Sequence, residues 1–341
     1  MAAASTHRAS RPPVGVVEAL GTAVPPHVVT NDDLAQHLDT NDEWVRTRTG
    51  IAERRFADPD TSTGDLAVEA GADALKAAGG DVDTVIVATT TPDRMLPGTA
   101  PEVASRLGLG DASAFDVNAA CAGFIYALPV ASGLVATGTA DRVLVIGAEV
   151  MSRIVDPDDR STRVLFGDGA GAVVVRSGHA DEPGAVGPFD LGSDGDQTHL
   201  LEVPAGGTRQ PIDDHAIENR HHFLQMDGRE VYRQAVRRMV SSSRAVLAQA
   251  GLEVDDVDCL IAHQANARIL EAVADRLEIP RDRCVSNVGR YGNTSAASIP
   301  LALADASLEP GQQVLLTSFG AGMAWGSSLM TWPDLPTPDP T

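Results

Sequence analysis

The sequence predicts a duplicated α/β fold, in which two related halves each contain a sheet covered by helices. Short runs rich in Val and Ile alternate with Ala-rich stretches of helical period, a pattern typical of buried strands and their covering helices. Residues 79–88 resemble residues 251–262, and residues 142–147 resemble residues 313–318. Both pairs are offset by about 170 to 175 residues, so we infer an internal repeat rather than two unrelated domains.

The first half is predicted to contain two helices and four strands. A helix over residues 64–78 is followed by Gly79 and Gly80, and glycine favours the left-handed backbone that ends helices. Short apolar runs after it are predicted to be buried strands. The predicted elements that follow are strands at residues 84–88 and 114–117, a helix at 119–136, and strands at 142–147 and 170–175.

We expect the halves to be residues 14–178 and 179–341, preceded by a flexible tail, residues 1–13. Residues 179–227 are rich in Gly, Pro, Asp and His and show little periodicity. Because this segment is too long for a plain connector, we predict a cap or substrate-lining loop. A metal site within it is the less favoured alternative, since none of its possible ligands has a spacing tied to a helix or hairpin. Those residues, interpreted as solvated, are Asp213, Asp214, His215, His221 and His222.

The composition limits the possible partners and compartments. The chain has 341 residues, enough for about two domains, and a formal net charge of −21. A chain with this much net negative charge does not attract nucleic acid or an anionic membrane. No run of about 18 apolar residues occurs, and the first residues lack the apolar core of a secretory signal. Three cysteines without CxxC spacing favour neither disulfides nor a zinc site and fit a reducing cytosol.

Three polar residues are candidates for chemistry because they lie where predicted strands give way to helices. Cys121 precedes the Ala-rich helix, and a helix N-terminus favours the thiolate form. His263 ends a strand of the second half. Asn293 lies about 172 residues after Cys121, so the repeat predicts that it occupies the counterpart of the Cys121 position. Each has a structural alternative, namely a core cysteine, a capping histidine and an N-cap asparagine.

Six motifs occur in order along the chain. They are NDEWVRTRTGI (41–51), ACAGF (120–124), FGDGAGA (166–172), HQAN (263–266), GNTSAAS (292–298) and FGAG (319–322). In this order they resemble the β-ketoacyl-acyl carrier protein synthase III family of the thiolase superfamily, over about residues 14–332. The resemblance implies two thiolase-like α/β halves in a layered αβαβα architecture. The glycines of residues 167–171 resemble a phosphate cradle but precede a strand, which favours a structural turn.

The resemblance implies a cytoplasmic, homodimeric condensing enzyme that starts fatty-acid or polyketide chains. Its catalytic residues carry over to Cys121, His263 and Asn293. The cysteine would take an acyl group from acyl-CoA. His263 and Asn293 would stabilise the enolate formed as malonyl-acyl carrier protein loses CO₂, and the N–H groups of Cys121 and Ala321 would form an oxyanion hole. No cofactor or metal is expected, because acyl-CoA is a substrate.

The resemblance also assigns residues to three binding surfaces. The CoA-binding residues would be Trp44, Arg48, Arg160 and Asn266. The acyl pocket would contain Leu96, Phe166, Leu224 and Phe319. The carrier-protein docking residues would be Arg233, Arg268 and Arg276. Many relatives carry an aromatic residue at position 96, placed across a dimer interface, so acetyl-CoA cannot be assumed as the primer.

Two alternative functions are retained. An acyltransferase of the same fold would form the acyl-cysteine but pass the acyl group to an alcohol or amine without decarboxylation. A catalytically silent module would bind acyl-CoA or a carrier protein only. The complete set of Cys121, His263 and Asn293 argues against the first alternative, and the presence of the nucleophile Cys121 argues against the second.

Overall fold

The structure is a computed structural model that describes residues 13–335, so the predicted tail lies outside the described residues except for Pro13. The strands are β1 (Val14–Ala23), β2 (Val28–Thr30), β3 (Glu53–Arg55), β4 (Thr84–Ala88), β5 (Ser113–Val117), β6 (Arg142–Glu149), β7 (Gly169–Gly178), β8 (Val186–Ser193), β9 (Leu201–Glu202), β10 (Gln225–Met226), β11 (Cys259–Ala262), β12 (Gln313–Gly320) and β13 (Ala324–Thr331). The helices are α1 (Asn31–Ala35), α2 (Asp42–Thr49), α3 (Thr63–Ala78), α4 (Ala100–Arg106), α5 (Gly123–Ala136), α6 (Arg160–Arg163), α7 (Asp214–Glu218), α8 (Gly228–Ala250), α9 (Ala267–Leu277), α10 (Val288–Tyr291) and α11 (Ser298–Ala304).

The predicted elements of the first half are confirmed, with small shifts at their ends. Helix α3 begins one residue before its predicted start, where Ser62 and Asp65 form a capping box. It ends at Gly79, which adopts the left-handed conformation with φ of 66°. Strand β4 has the predicted bounds, and the ends of β5, β6 and β7 lie within three residues of those predicted. These elements could be predicted because apolar periodicity and a glycine stop determine them locally.

Two main sheets repeat one topology. The first has the strand order β1-β7-β6-β4-β5, and the second has the order β8-β13-β12-β11. In each, the parallel pair (β6 with β4, β12 with β11) is extended by two antiparallel strands. The counterpart of β5 is reduced in the second half to a parallel bridge between Leu260 and Cys284. The shared order confirms the predicted duplicated fold.

Helices and sheets alternate in five layers. Helix α5 is apolar on nearly all sides, so it is stable only where every face is covered. It lies between the sheets, and its Ile125 and Leu128 share a buried cluster with Val143 of β6 and Ile261 of β11. Helix α3 covers the outer face of the first sheet, whereas α8 and α9 cover that of the second. No helix within residues 13–335 is long and apolar enough to cross a membrane.

The prediction of a loop over residues 179–227 is wrong for its first part. Strand β8 falls inside this segment and pairs with β13 at the edge of the second sheet. An edge strand tolerates proline and glycine, and Gly187, Pro188 and Gly192 hide the alternation that identifies strands. Residues 194–227, called the cap below, contain α7 and the short strands β9 and β10, and their role as a substrate-lining loop stays a prediction.

The histidines and aspartates of the cap make local contacts. Asp213 accepts a hydrogen bond from the Ala216 N–H group at the start of α7, at 2.8 Å. His221 Nδ1 lies 3.0 Å from the Gln210 amide nitrogen. Within the described part of the chain, no group of three or more His, Cys, Asp or Glu side chains is placed to hold a metal ion.

Candidate active site

Cys121, His263 and Asn293 border one cavity of about 300 Å³ where the two halves meet. His263 and Asn293 are buried, and Cys121 is half-buried. The chain separates Cys121 from the other two by more than a hundred residues, and only the packing of the halves brings them together. A pocket of this kind at the junction of two repeats is the expected place for a reaction site.

Cys121 lies in a single turn of 3-10 helix, Ala120–Ala122, directly before α5. Ala120 adopts the left-handed conformation with φ of 47°, and its N–H group donates to Asn118 Oδ1 at 3.2 Å. The Ser318 hydroxyl donates to the Cys121 carbonyl at 2.7 Å. Hydrogen bonds from residues of both halves therefore fix the backbone around Cys121.

Burial opposes the thiolate form that a helix N-terminus favours at Cys121. Burial raises the pKa of the thiol to about 12, and the charge of Glu149 adds to this rise. Hydrogen bonding to Ser295 lowers the pKa of the thiol, but by less than burial raises it. The desolvation arises because α5 begins between the two sheets.

Gly320 is a site residue whose role the sequence did not reveal. A Cβ atom at this position would lie 2.6 Å from the backbone nitrogen of Cys121, so only glycine permits the approach of β12. Ala321 follows it and borders, together with Cys121, a second cavity of about 370 Å³. The oxyanion hole predicted from the N–H groups of Cys121 and Ala321 stays a prediction.

His263 directly follows β11, and its hydrogen bonds determine which ring nitrogen carries the proton. The Ser298 hydroxyl oxygen accepts the Gln264 N–H group at 2.6 Å and lies 3.0 Å from His263 Nδ1. When the hydroxyl donates its own proton to Nδ1, a neutral ring carries its proton on Nε2. Burial lowers the pKa of His263 to about 3, so the ring is neutral.

Asn293 presents its amide nitrogen to the cavity because its oxygen is occupied. Asn293 Oδ1 accepts the Ser295 N–H group at 2.9 Å. The backbone of Asn293 donates to Leu165 O at 2.8 Å and accepts from the Gly167 N–H group at 3.0 Å. A Cβ atom at Gly167 would lie 2.1 Å from Tyr291 O, which explains why this motif contains glycine. The prediction of a structural turn at residues 167–171 is wrong, because residues 169–171 already belong to β7 and pair with its neighbouring strands.

The predicted equivalence of Cys121 and Asn293 is wrong by three residues. The 3-10 turn Ala120–Ala122 precedes α5, and the turn Ser295–Ala297 precedes α11 in the same way. From the start of α5 at residue 123 to the start of α11 at residue 298 the offset is 175, so the counterpart of Cys121 is Ala296. Asn293 instead matches Asn118, whose side chain makes the same turn. Asn293 also follows helix α10, not a strand.

Three of the residues predicted to bind CoA, Trp44, Arg48 and Arg160, form one cluster. The guanidinium carbons of Arg48 and Arg160 lie 5.0 and 4.8 Å from the centre of the Trp44 ring. Arg48 and Asn266 border the cavity of about 300 Å³, and Asn266 also caps α9 through the Ile269 N–H group. A flat aromatic face between two guanidinium groups suits a ligand that combines a base with phosphates.

The predicted acyl pocket is assembled in part. Phe166 borders both cavities, Phe319 borders the one of about 300 Å³, and Leu224 borders the one of about 370 Å³. Leu96 borders neither and is 85% exposed, so it is not a wall of the pocket of its own chain. The segment between β4 and α4 carries it away from Cys121 into solvent.

Of the three predicted docking arginines, Arg268 borders the cavity of about 300 Å³. Its guanidinium carbon lies 5.9 Å from the ring centre of Tyr232, which borders the same cavity. Arg233 follows Tyr232 in α8 and pairs with Glu230 at 2.6 Å. Arg276 lies in the last turn of α9, about 12 Å along the helix from Arg268, at 1.5 Å per residue.

Comparison with known proteins decides the family. Residues 115–195 and 247–332 match the models described as 3-oxoacyl-[acyl-carrier-protein (ACP)] synthase III and its C terminal. The chain is 53% identical over 325 residues to β-ketoacyl-[acyl-carrier-protein] synthase III 3 of Streptomyces coelicolor, a match that covers 93% of this chain and 97% of that relative. The chain belongs to the β-ketoacyl-acyl carrier protein synthase III family.

Solved structures of synthase III proteins have the same fold. The enzyme from Pseudomonas aeruginosa PAO1 is 48% identical, with a TM-score of 0.89 and coverage of 95% of this chain and 99% of that one. The priming β-ketosynthase from the R1128 polyketide biosynthetic pathway is 36% identical, with a TM-score of 0.87 and coverage of 97% and 100%. These likenesses confirm the predicted thiolase-like αβαβα architecture.

This synthase III chain contains three site residues that the sequence did not mark as functional: Ser295, Ser298 and Gly320. All three lie inside the quoted motifs, but a serine or glycine in a motif does not reveal its contacts. Ser298 orients His263, Ser295 orients Asn293, and Gly320 lets β12 approach Cys121. Of these three contacts, only that of Gly320 crosses between the two halves, whereas Ser298 and Ser295 make theirs with residues of their own half.

We predict that Ser298→Ala slows decarboxylation of the malonyl substrate by about tenfold, which corresponds to about 1.4 kcal/mol for one lost orienting hydrogen bond. Without the hydroxyl, His263 Nδ1 loses its donor and the proton is no longer restricted to Nε2. The rate of ¹⁴CO₂ release from labelled malonyl-acyl carrier protein measures the effect. Acylation of Cys121 is the internal control, and an equal loss in acylation would contradict the assigned role.

Proposed function

We propose that this chain catalyses decarboxylative condensation of an acyl-CoA primer with malonyl-acyl carrier protein, as a 3-oxoacyl-[acyl-carrier-protein] synthase III. The observation that carries the proposal is the convergence of Cys121, His263 and Asn293 on one cavity. The relatives at about 50% identity over most of the chain bear the name of this activity and support it. The product would start a fatty-acid or polyketide chain, and the likeness to a polyketide priming ketosynthase keeps both pathways in the proposal.

In the first half-reaction, acyl-CoA is held at the mouth by Trp44, Arg48 and Arg160, with Asn266 beside the pantetheine arm. The Cys121 sulfur attacks the thioester carbonyl, a carbon–sulfur bond forms, and CoA leaves. The N–H groups of Cys121 and Ala321 stabilise the oxyanion of this step. The acyl chain then occupies the cavity of about 370 Å³ that Phe166, Leu224 and Ala321 border.

In the second half-reaction, malonyl-acyl carrier protein replaces CoA. The neutral His263 donates from Nε2 and Asn293 donates from Nδ2 to the malonyl thioester oxygen, which becomes negatively charged as CO₂ departs. The carbanion attacks the acyl thioester on Cys121, and the β-ketoacyl product leaves on the carrier protein. A buried site with neutral donors suits this step, because its hydrogen bonds are strongest when charge develops in the substrate.

The two alternative functions give different outcomes in two assays. After the addition of acyl-CoA, the intact mass increases by one acyl group on Cys121 if the chain is an enzyme, but not if it only binds its ligands. Labelled CO₂ released from malonyl-acyl carrier protein distinguishes condensation from simple acyl transfer to an alcohol or amine. The complete donor pair, His263 and Asn293, favours condensation.

Replacement of His263 or Asn293 by Ala should leave acylation of Cys121 largely intact and slow condensation by about 100- to 1,000-fold, as loss of an oxyanion-hole donor does. Both donors act on charge that develops during decarboxylation and neither is needed for the attack of the thiol. Quench-flow measurement of acyl-enzyme and CO₂ separates the half-reactions. An equal loss in both half-reactions would show that this division of roles is wrong.

We also propose a homodimer that forms at the β5 edge of the first sheet. Within the described residues β5 pairs with β4 alone, and its Phe115 is 37% exposed. Met95 and Leu96, 81% and 85% exposed, add apolar surface that an isolated chain leaves in water. A second copy is the occupant that the resemblance implies, with Leu96 directed at the acyl pocket of the other copy.

Light scattering should give twice the chain mass, and Phe115→Glu should shift the equilibrium to monomer at micromolar concentration. A buried charge without a partner costs about 3 kcal/mol or more at such an interface. Ile217→Glu is the matched control, because Ile217 is an exposed apolar residue of the cap, at 53% exposure. A monomeric wild type would refute the proposed dimer.

The acidic carrier protein is proposed to dock on a local basic face, because the chain as a whole has a net charge of −21. Arg268 stands at the cavity and Arg233 lies beside it on α8, whereas Arg276 extends the face along α9. A cytoplasmic location and the absence of a cofactor are part of the proposal. The free thiols of Cys121, Cys259 and Cys284 fit that reducing compartment.

We expect Arg268→Glu to raise the KM for malonyl-acyl carrier protein by about two- to fivefold at low salt, the size of one exposed ion pair. The effect should fade as salt screens the charge, and acylation by free acyl-CoA should not change. Arg106→Glu is the control, since Arg106 makes an exposed ion pair with Asp65 in the outer helical layer of the other half. Unchanged carrier-protein kinetics in the double variant Arg233→Glu, Arg268→Glu would place the docking face elsewhere.

A further inference from the structure

Arg54, the middle residue of β3, carries a buried charge that the proposed half-reactions do not use. It is 0% exposed, and burial lowers the pKa of its guanidinium group to about 10, so the group stays charged at neutral pH. Within the described part of the chain no acidic side chain pairs with it, and the adjacent Glu53 pairs with Arg55 instead. A buried charge without an acidic partner lowers the stability of a fold, so an apolar side chain would suit a purely structural role better.

The Arg54 guanidinium group donates to three neutral acceptors on two segments that are far apart in the chain. Nη1 donates to Val29 O at 3.1 Å, and Nη1 and Nη2 both donate to Asn31 Oδ1 at 2.9 Å. Nη2 also donates to Val164 O at 2.8 Å. Because a guanidinium group carries its donors in one rigid plane, it holds the two segments in a single arrangement.

Asn31 extends this network to α2, the helix that carries Trp44. The Asn31 side chain is buried, and its Nδ2 group donates to Asp42 Oδ1 at 2.9 Å and to Ile51 O at 2.8 Å. Asp42 is the first residue of α2, and Ile51 lies two residues beyond the last. The amide of Asn31 therefore holds α2 at both ends, and Arg54 in turn holds that amide through its oxygen.

Val164 extends the network to α6, because it is the C-cap residue of this short helix. Arg160, the first residue of α6, places its guanidinium carbon 4.8 Å from the centre of the Trp44 ring. Arg54 is thus bonded to both helices of the stacked cluster, through Asn31 to the helix of Trp44 and through Val164 to the helix of Arg160.

The segment that Arg54 holds also supports Asn293. Leu165, the next residue along this segment, accepts the Asn293 N–H group at 2.8 Å. The stem of Arg54 lies against the two glycines beside this contact, since a Cβ atom at Gly167 would lie 3.1 Å from Arg54 Cβ and one at Gly292 would lie 3.3 Å from it. One side chain therefore contacts both the supports of the CoA cluster and the backbone around Asn293.

We propose that Arg54 is a positioning residue, which fixes the CoA-binding helices α2 and α6 relative to the Asn293 donor. Arg54 borders neither cavity of the site, so it acts through the residues that it holds. A lysine would keep the charge but lacks the planar fork that bonds both segments at once. This inference rests on the proposed function, in which Trp44 binds CoA and Asn293 assists decarboxylation.

Asp42→Ala tests the CoA end of the network, because it frees the start of α2 from Asn31 and Asp42 itself is 41% exposed. Acylation of Cys121 is measured by quench-flow and intact mass with acyl-CoA and with the matching acyl thioester of N-acetylcysteamine, which lacks the nucleotide. We expect the KM for acyl-CoA to rise about three- to tenfold, the size of one lost hydrogen bond, with little change in the maximum rate. The kinetics with the short thioester should not change.

Two control variants separate this effect from a change of charge. Glu43→Ala removes the same charge from the same helical turn, but Glu43 is not a hydrogen-bond partner of Asn31. Arg46→Ala removes the ion pair that Asp42 makes at 2.7 Å and leaves the bond to Asn31 in place. Both controls should keep the wild-type KM for acyl-CoA.

Arg54→Lys tests the centre of the network. It should raise the KM for acyl-CoA and also slow ¹⁴CO₂ release from labelled malonyl-acyl carrier protein by about tenfold, because Asn293 loses its fixed position. Asp42→Ala should leave CO₂ release at the wild-type rate, since the carrier-bound substrate has no nucleotide for α2 to hold. If Arg54→Lys does not fold, the comparison of the two acyl donors in Asp42→Ala decides by itself.

Equal losses with both acyl donors in Asp42→Ala would overturn the proposal, and so would a KM for acyl-CoA no higher than that of Glu43→Ala. An Arg54→Lys variant that melts at a lower temperature but keeps wild-type kinetics would show a merely structural role. A wild-type chain that forms no acyl-Cys121 with either donor would instead refute the proposed function itself.

Discussion

The close approach of the two halves at two reciprocal turns is the constraint on which the site depends. Strand β12 of the second half packs on the turn that carries Cys121, where a Cβ atom at Gly320 would lie 2.6 Å from the Cys121 nitrogen. Strand β6 of the first half packs on the turn Ser295–Ala297, where a Cβ atom at Gly147 would lie 2.3 Å from Ala296 O. Each turn is thus supported by a strand of the other half. Neither half could position its part of the site alone.

This packing explains the electrostatic character of the site. Both turns precede helices enclosed between sheets, so water is excluded from the side chains that they carry. Burial lowers the pKa of His263 and raises that of the Cys121 thiol, so both favour their neutral forms. His263 and Asn293 are therefore neutral hydrogen-bond donors, and such donors interact most strongly with an oxygen that becomes negative. Burial also raises the pKa of Glu149, and its hydrogen bonds with Thr90, Thr91 and Ser295 oppose that rise.

The same arrangement assigns different chemistry to equivalent positions of the repeat. Asn118 and Asn293 both accept the N–H group two residues later, and both turns contain a left-handed residue, Ala120 or Ser295. In the first half the next position is Cys121, whereas in the second half it is Ala296. The two turns therefore have the same backbone form, and only the first carries the candidate nucleophile.

The sequence by itself determined the main buried strands and helices of the first half and the family, and it predicted Cys121, His263 and Asn293 as the candidate catalytic residues. These follow from apolar periodicity, glycine stops and short motifs, all of which act over a few residues. Only the tertiary structure decided that β8 is an edge strand, that Cys121, His263 and Asn293 border one cavity, and that burial raises the pKa of the Cys121 thiol. Strand pairing, exposure and solvation depend on neighbours far away in the chain, and a local pattern does not encode those distances.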